Sequence, residues 1–362
     1  MKITKIVITG GPCAGKTTGM SLIQNAFSLR GYTVLFVPET ATELISGGVA
    51  PWTCATNGEY QKCQVRLQME KERIFTYAAE GMDAEKILLV CDRGALDNKA
   101  YMNDEEFVEV LRYVGANEVE LRDSYDAVFH LMTAAKGAVK FYTTANNTAR
   151  RETVEQAVAV DDALITAWTG HPHFRIIDNK GTFSDKMKRL IAEIASFLGE
   201  PEPFEIERKF LIAYPDIRLL QKLPHCERVE IEQTYLRSDP GEELRVRRRG
   251  VNGNYVYFET RKKTINGMKR LSMQRRLTEE EYLDRLKDAD PARRTIKKDR
   301  YCLVDGNQYF EIDVFPFWKD KAILEIELSD PDEEIQFPKM LQLLREVTDD
   351  IAYKNATLAK MI

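Results

Sequence analysis

The first two hundred residues alternate short apolar runs with longer stretches in which apolar positions recur every three or four residues. This alternation is typical of a parallel sheet with helices on its faces, an α/β fold. Helical spacing is clearest over 58–80 and again over 184–198, where the pattern closes. The predicted strands are 6–9, 33–37, 87–91, 127–131 and 174–177.

A different pattern begins after GEPEPF at 199–204, whose prolines and acids predict a short linker over 200–204. Beyond it, apolar and polar residues alternate at period two between turn sequences such as SDPGEE, GVNGN and DGNQ. This is the pattern of antiparallel strands. A closing helix is predicted over 339–347. We therefore expect an α/β domain over 1–199 and an α+β domain over 205–362.

Composition agrees with this division, because 362 residues exceed the usual size of one compact core. The net charge of -5 argues against a general nucleic-acid-binding surface. The longest apolar runs have strand length, and the chain opens on a strand rather than a signal sequence, so we expect a cytoplasmic protein without a transmembrane segment. The six cysteines form no CxxC pair and no zinc spacing, which predicts free thiols.

The clearest candidate chemistry lies in GGPCAGKTTGM at 10–20, between an apolar run and a helical stretch. It matches the pattern GxxxxGK[ST], in which backbone N–H groups and a helix N-terminus surround an anion. Lys16 can reach the β- and γ-phosphates, and Thr17 can offer its hydroxyl to Mg²⁺. The motif predicts binding of ATP or GTP. The predicted nucleotide-binding residues are Gly10, Gly11, Pro12, Cys13, Ala14, Gly15, Lys16, Thr17 and Thr18.

Other polar residues of this half follow predicted strands. Asp92 ends the strand LLVCD, where it can hold magnesium-bound water or simply cap the strand. Glu39 lies just past the second strand, at the sheet edge where ligands bind, and it can accept a proton from a substrate hydroxyl or cap the next helix. Arg150 and Arg151 in TARRET can close over a transferring phosphoryl group or lie on a solvated helix face.

The order of these motifs over about residues 3–198 resembles the small-molecule kinases of the P-loop class. It is most similar to AAA-type, nicotinamide riboside kinase-like and deoxynucleoside kinase-like proteins. That resemblance implies that Glu39 is the catalytic base and that Arg150 and Arg151 contact the donor phosphates. The chain has no recognisable base-reading signature, so the phosphoryl acceptor and the choice between ATP and GTP stay open.

The second half repeats one charge pattern on several predicted strands. In EIERKF two acids and a lysine fall on one face, because successive side chains of a strand alternate. Burying such a face costs free energy unless it lines a water-filled cavity with a ligand or a metal. A half-buried sheet with one polar face would also explain any single strand of this kind.

Basic pairs facing acidic pairs predict a closed β-barrel that holds a polyphosphate, with the carboxylates bound to Mg²⁺ or Mn²⁺. The basic residues are Lys209, Arg245, Arg247, Lys262, Lys298 and Arg300. The candidate metal ligands are Glu205, Glu207, Glu325 and Glu327 here, with Thr17 and Asp92 in the first half.

From about residue 204 onward the chain resembles the CYTH superfamily, the triphosphate tunnel fold. The ExExK signature of that family matches Glu205, Glu207 and Lys209, and its later basic and acidic pairs match the other residues named above. The resemblance implies a tunnel that binds a triphosphate-bearing ligand, which many members hydrolyse with a divalent metal. One departure is MQRR, which places Gln274, Arg275 and Arg276 where acidic residues are common. Extra positive charge favours binding over hydrolysis.

The domain order resembles a group that includes insect photoreceptor-channel trafficking factors, which bind nucleotides and phosphoinositides. Three functions stay open. The favoured one is a nucleotide-dependent phosphotransferase or NTPase whose tunnel binds or cleaves a polyphosphorylated compound. The second is a regulatory module that binds ATP or GTP and a phosphorylated ligand or phospholipid headgroup. The third is a metal-dependent triphosphatase. Nucleic acid is not an expected partner, because the basic residues alternate inward without interleaved aromatic residues.

Overall fold

The computed structural model describes residues 2–138, 153–200, 206–239, 242–266, 269–328 and 333–361. The chain forms two compact units, of which the first extends to residue 205 and includes 306–309, and the second comprises the remainder. Three predicted site residues, Arg150, Arg151 and Glu205, lie outside the described residues.

The first unit is built on a parallel five-stranded sheet in the order β2-β3-β1-β4-β5. Its strands are β1 (Lys2–Thr9), β2 (Thr33–Val37), β3 (Lys86–Asp92), β4 (Ala127–Leu131) and β5 (Phe174–Ile177). Its helices are α1 (Lys16–Ser28), α2 (Thr40–Ser46), α3 (Asn57–Glu80), α4 (Asp104–Val114), α5 (Glu118–Arg122), α6 (Val154–Trp168) and α7 (Phe183–Leu198). The five predicted strands and the two predicted helices are confirmed.

The central strands of this sheet are buried on both faces, which is why β3 and β4 read as continuous apolar runs. One face packs against α1 and α7 through Ile23, Phe27, Leu190 and Ile194. The sheet is therefore a rigid base, and the turns at the carboxyl ends of its strands carry the candidate chemistry.

The second unit contains an antiparallel nine-stranded sheet in the order β10-β9-β8-β7-β11-β12-β13-β6-β14. Its strands are β6 (Ile206–Ala213), β7 (Cys226–Leu236), β8 (Glu242–Val251), β9 (Asn254–Asn266), β10 (Lys269–Leu277), β11 (Ile296–Asp305), β12 (Gln308–Val314), β13 (Lys321–Leu328) and β14 (Leu343–Glu346). Its helices are α8 (Ile217–Leu220), α9 (Glu279–Arg285) and α10 (Asn355–Met361).

The closing helix predicted over 339–347 is wrong. Residues 343–346 form β14 at the sheet edge, and the last helix is α10. The apolar residues of this segment suit either structure, but the exposed edge of β6 offers backbone partners to an extended segment. Arg208 of β6 also makes two hydrogen bonds, of 2.9 and 2.6 Å, to the carboxylate of Glu346. Pairing with a distant strand therefore decided the conformation.

Among the described residues, no helix combines the length and the apolar character needed to cross a bilayer. In the same ranges, which contain all six cysteines, no disulfide bond is present.

Candidate phosphate-binding sites

The turn between β1 and α1 carries the predicted nucleotide-binding residues. Gly10 has a φ of +141°, and a Cβ at this position would lie 2.0 Å from the carbonyl oxygen of Leu131, so no other residue fits. Gly15, with a φ of +93°, is the N-cap residue just before α1. The Nζ of Lys16 donates to the carbonyl of Gly10 at 3.1 Å, across the mouth of the turn. The turn thus curls around the N-terminus of α1, which is the geometry of an anion site.

A buried carboxylate from α6 holds this turn from behind. Oδ1 of Asp161 accepts the N–H groups of Gly11 at 3.0 Å and Thr133 at 3.1 Å. His130 Nε2 lies 3.0 Å from the same oxygen, and Lys136 Nζ lies 2.9 Å from Oδ2. Burial alone would raise the pKa of Asp161, but His130 and Lys136 outweigh it and hold that pKa well below its usual range. The turn is therefore hydrogen-bonded to a carboxylate that stays ionised at neutral pH.

Asp161→Asn should lower the free energy of unfolding at pH 7 by about 3 kcal/mol. The substitution removes the buried negative charge that pairs with Lys136 and accepts the N–H group of Gly11. The pKa of Asp161 is lower in the folded state than the unfolded value of about 3.9, so this stabilisation is complete at neutral pH. It is lost as the pH falls below about 4. Urea unfolding of both proteins between pH 3 and pH 7 measures the difference.

Asp162→Asn is the matched control, since Asp162 pairs with the same Lys136 at 2.6 Å but is 46% exposed. A loss in the control as large as that in Asp161→Asn, or a difference that does not shrink at low pH, would contradict the role given to Asp161.

Asp92, at the end of β3, lines a cleft of about 480 Å³ together with Thr17. Its Oδ1 is buried and accepts no hydrogen bond from the described residues. Burial raises the pKa of Asp92, while the charge of Lys16 opposes the shift and that of Glu39 adds to it. A buried carboxylate oxygen without a partner, in the same cleft as a threonine hydroxyl, fits a divalent cation or its bound water.

Glu39 lies on the same sheet edge and is held by two donors. Arg93 Nε donates to its Oε1 at 2.6 Å, and the hydroxyl of Thr42 donates to its Oε2 at 2.6 Å. Burial raises the pKa of Glu39, but Arg93 and Lys16 together lower it to about 2. The side chain makes no capping bond to α2. Glu39 is therefore an oriented, ionised acceptor of hydrogen bonds and a weak proton acceptor.

The segment after β3 is tied to the rest of the domain by Asp97. Its Oδ2 accepts the N–H of Gly94 at 2.8 Å, and its Oδ1 accepts Nε1–H of Trp168, in α6, at 2.9 Å. The hydroxyl of Thr9, at the end of β1, donates to the same Oδ1. Helix α6 is thus bonded to the turns after both β1 and β3. Arg93, which directly follows β3, has a φ of +69°, a backbone conformation that is rare outside glycine.

In the second unit, the predicted tunnel charges share one face of the sheet, which we call the charged face. Residues directly opposite each other on paired strands point the same way, and Glu325 stands opposite both Lys209 and Glu311. Glu207 stands opposite Glu327. The other face is apolar, with clusters around β12 and β13 and under α9.

On β6, β11, β12 and β13 the predicted cations of the charged face bind carboxylates. Glu325 accepts from Lys209 Nζ at 2.6 Å and from Arg300 Nη2 at 2.7 Å. Arg300 also makes two bonds, of 2.7 and 2.8 Å, to Asp313 and contacts Glu311. Burial raises the pKa of Glu325, but Arg300 and Lys209 hold it well below its usual range.

Lys298 completes this network by donating to Asp313. At its margin, Glu207 lies 3.1 Å from Lys209 Nζ. Burial raises the pKa of Glu207, and the nearby charge of Glu325 raises it further. In the described ranges, no three His, Cys, Asp or Glu residues form a group able to hold a metal.

On β8 the charged face carries Arg245 and Arg247, whose donors are not all satisfied by the described residues. The Nε atoms of Arg245 and Arg247 are buried without an acceptor among the described residues. Arg247 Nη2 donates only weakly, to Gln274 Oε1 at 3.2 Å. Burial lowers the pKa of Arg247 to about 9, with the like charges of Arg245 and Arg249 contributing. Crowded guanidinium groups with unused N–H donors fit an anionic ligand.

Neighbouring strands extend this cationic region. Gln274 and Arg276 stand opposite Thr260 and Phe258 on β9, so they share the charged face, and alternation along β9 places Lys262 there too. Arg275 points to the other face and lies 2.8 Å from Glu281 of α9. The MQRR sequence thus adds one cation to the charged face rather than two.

The strand order, the glycine turn and Lys16 make the first unit a P-loop NTPase-type domain. The chain belongs to the AAA domain family, whose model matches residues 5–186, half of the chain, and it continues into a CYTH domain that matches residues 203–358. The predicted fusion of these two domains is confirmed.

Solved structures match the CYTH half. One is the crystal structure of an inorganic triphosphatase, which is 30% identical over 44% of this chain and 96% of that chain, with a TM-score of 0.32. Another, from Pyrococcus horikoshii, is 19% identical over 35% of this chain and 81% of that chain, with a TM-score of 0.26. Among curated proteins, none is similar enough to count as a match.

Proposed function

We propose that the first unit binds ATP or GTP with Mg²⁺ and transfers the terminal phosphoryl group to an acceptor hydroxyl or to water. The observation that carries this proposal is the unpartnered buried Oδ1 of Asp92 in the cleft it shares with Thr17. Glu39 and Lys16 lie close enough to influence its charge. Cation ligands, a phosphate-binding lysine and an acceptor-orienting carboxylate therefore converge on one sheet edge.

Each residue has a separate task in this proposal. Lys16 and the backbone N–H groups of the turn neutralise charge on the phosphoryl oxygens. Thr17 and Asp92 would hold the metal, which supplies further positive charge when bound. Glu39, fixed by Arg93, accepts a hydrogen bond from the attacking hydroxyl and orients it. With a pKa of about 2, Glu39 is a weak base, so in this proposal the hydroxyl keeps its proton until the bond to phosphorus has begun to form and then passes it to the carboxylate of Glu39 or to a phosphoryl oxygen, as the nucleoside diphosphate leaves.

Arg150 and Arg151 keep the role predicted for them, stabilisation of the transferring phosphoryl group. Removing either should lower turnover with little change in nucleotide affinity, because charge that develops in the transition state is their target.

Asp92→Asn should lower Mg²⁺-dependent phosphate release from ATP and GTP by roughly a hundredfold, the usual effect of removing one electrostatic contributor. Nucleotide affinity in EDTA should change little, since the amide keeps the shape of the side chain. Asp83→Asn, at an exposed position, is the control. Equal turnover in Asp92→Asn and wild type would contradict the metal role.

For the second unit we propose binding of a polyphosphorylated ligand, such as an inorganic or organic triphosphate or a phospholipid headgroup. The unpartnered donors of Arg245 and Arg247 support it. Hydrolysis there has less support, because Glu325 is engaged by two cations and would have to release them to bind a metal. Tight binding of tripolyphosphate without cleavage is the expected result, whereas Mg²⁺-dependent cleavage that is lost in Glu207→Gln would favour a triphosphatase.

A further inference from the structure

An exposed aromatic ring stands directly beside the phosphate-binding turn. Phe183 is the first residue of α7 and is 50% exposed. A Cβ on Gly15 would lie only 2.7 Å from Cε2 of the ring, so the ring is in contact with the turn. Phe183 begins an apolar stripe whose other members, Met187, Leu190 and Ile194, are buried against α1 and the sheet. The stripe thus continues past the core and ends in solvent at the turn.

The segment that presents this ring is rigid. Thr182 and Asp185 cap α7 reciprocally, with bonds of 3.0 and 3.2 Å between each backbone N–H and the other side chain. Just upstream, Nδ2 of Asn179 donates to the carbonyls of Thr133 at 2.8 Å and Lys136 at 2.6 Å. The backbone that carries the ring is therefore fixed before any ligand arrives, which reduces the ordering cost of binding.

Among the described residues, those around the turn leave one flank for the base and the ribose of a nucleotide. The back of the turn is occupied at Gly10 by the Leu131 carbonyl and at Gly11 by Asp161. One flank is the cleft that contains Asp92, where the proposed metal and acceptor chemistry takes place. The other flank carries Phe183. A base joined to the phosphates through a single ribose must settle on the surface next to the turn.

We propose that Phe183 is the stacking platform for the base of the nucleoside triphosphate. The proposal rests on the proposed nucleotide binding and adds the residue that holds the base. A half-exposed phenyl ring offers an apolar, planar surface without hydrogen-bonding groups, and stacking on such a ring tolerates any base. The platform therefore favours base-bearing triphosphates over base-free ones and separates ATP from GTP only weakly.

The test compares ligands with and without a base. Titration calorimetry with Mg²⁺ measures ATP, GTP and ribose 5′-triphosphate binding to the full chain carrying Arg245→Ala and Arg247→Ala, which removes the proposed second anion site. Phe183→Ala in this background should weaken ATP and GTP roughly ten- to a hundredfold and leave ribose 5′-triphosphate unchanged. Phe183→Trp should restore the affinity for both nucleotides. Tyr113→Ala, at another exposed aromatic residue, should have no effect.

Either of two results with Phe183→Ala overturns the proposal. One is unchanged ATP affinity in Phe183→Ala, and the other is equal weakening of all three ligands, which would make the ring a support for the turn. If Lys16→Ala abolishes ATP binding while Phe183→Ala does not alter it, the base platform fails and the proposed function stands. If no ligand shows Lys16-dependent binding, both fail. Should the background variant not fold, KM values for the same ligands in the otherwise wild-type chain make the same comparison.

Discussion

Lys16→Ala should reduce phosphate release from ATP and GTP by roughly a hundred- to a thousandfold, the range found when a main electrostatic contributor is removed. Lys16 is the first residue of α1, and its ammonium already bridges the mouth of the turn by donating to Gly10. A γ-phosphate would replace that carbonyl as its partner. Alanine keeps the helix but leaves the developing charge on the phosphoryl oxygens uncompensated. Steady-state phosphate release and transfer to candidate acceptors measure the effect.

Lys188→Ala is the matched control, because Lys188 also lies in a helix of the first unit and is 76% exposed. It should leave turnover unchanged. If Lys16→Ala and Asp92→Asn weaken nucleotide binding but wild type itself shows no turnover, the first unit is a binding module rather than an enzyme. Turnover that persists in Lys16→Ala would remove the phosphate-binding turn from the chemistry altogether.

Arg245→Ala combined with Arg247→Ala should weaken tripolyphosphate binding by a hundredfold or more, since a hydrogen bond to a charged group contributes about 1.5–3 kcal/mol. Both guanidinium groups have buried Nε atoms without acceptors among the described residues. A bound anion would satisfy them and relieve their mutual repulsion. Titration calorimetry in EDTA and in Mg²⁺ measures the loss, which should be similar in both because the arginines, rather than a metal, hold the ligand.

The crowding of guanidinium groups that favours anion binding should destabilise the protein when no ligand is bound. Arg247→Gln should raise the free energy of unfolding of the ligand-free protein by about 1 kcal/mol, because it removes a charge held among other cations. Arg275→Ala is the control for both measurements, since its side chain points to the other face and pairs with Glu281 at 2.8 Å. Equal losses of affinity in Arg275→Ala and in the double variant would indicate non-specific charge attraction.

Local patterns were sufficient for much of the fold. The parallel strands of the first unit are predictable because each is a continuous apolar run that must be buried on both faces. The phosphate-binding turn is predictable because its glycines, its lysine and the start of α1 lie within a few residues of each other. Period-two alternation likewise places the tunnel charges on one face of the sheet.

The parts that could not be predicted depend on contacts between distant segments. Asp161 lies 150 residues after Gly11, and nothing in its own neighbourhood indicates that it supports the turn. The predicted helix over 339–347 is a strand because β6 offered an unpaired edge. Alternation also could not distinguish Arg300, which is bound by three carboxylates, from Arg247, which is bound by none in the described residues. Only the register of the strands separates them.

We infer that the chain holds two different anion sites, one built from backbone N–H groups and Lys16 and one built from guanidinium groups. Titration calorimetry of tripolyphosphate with Mg²⁺ tests it most directly, in wild type, in Lys16→Ala and in the Arg245→Ala, Arg247→Ala double variant. We predict two sites in wild type and one in each variant, with different affinities for the site that remains. A single site in wild type, or the loss of all binding in either variant, would show that the two sites are not separate.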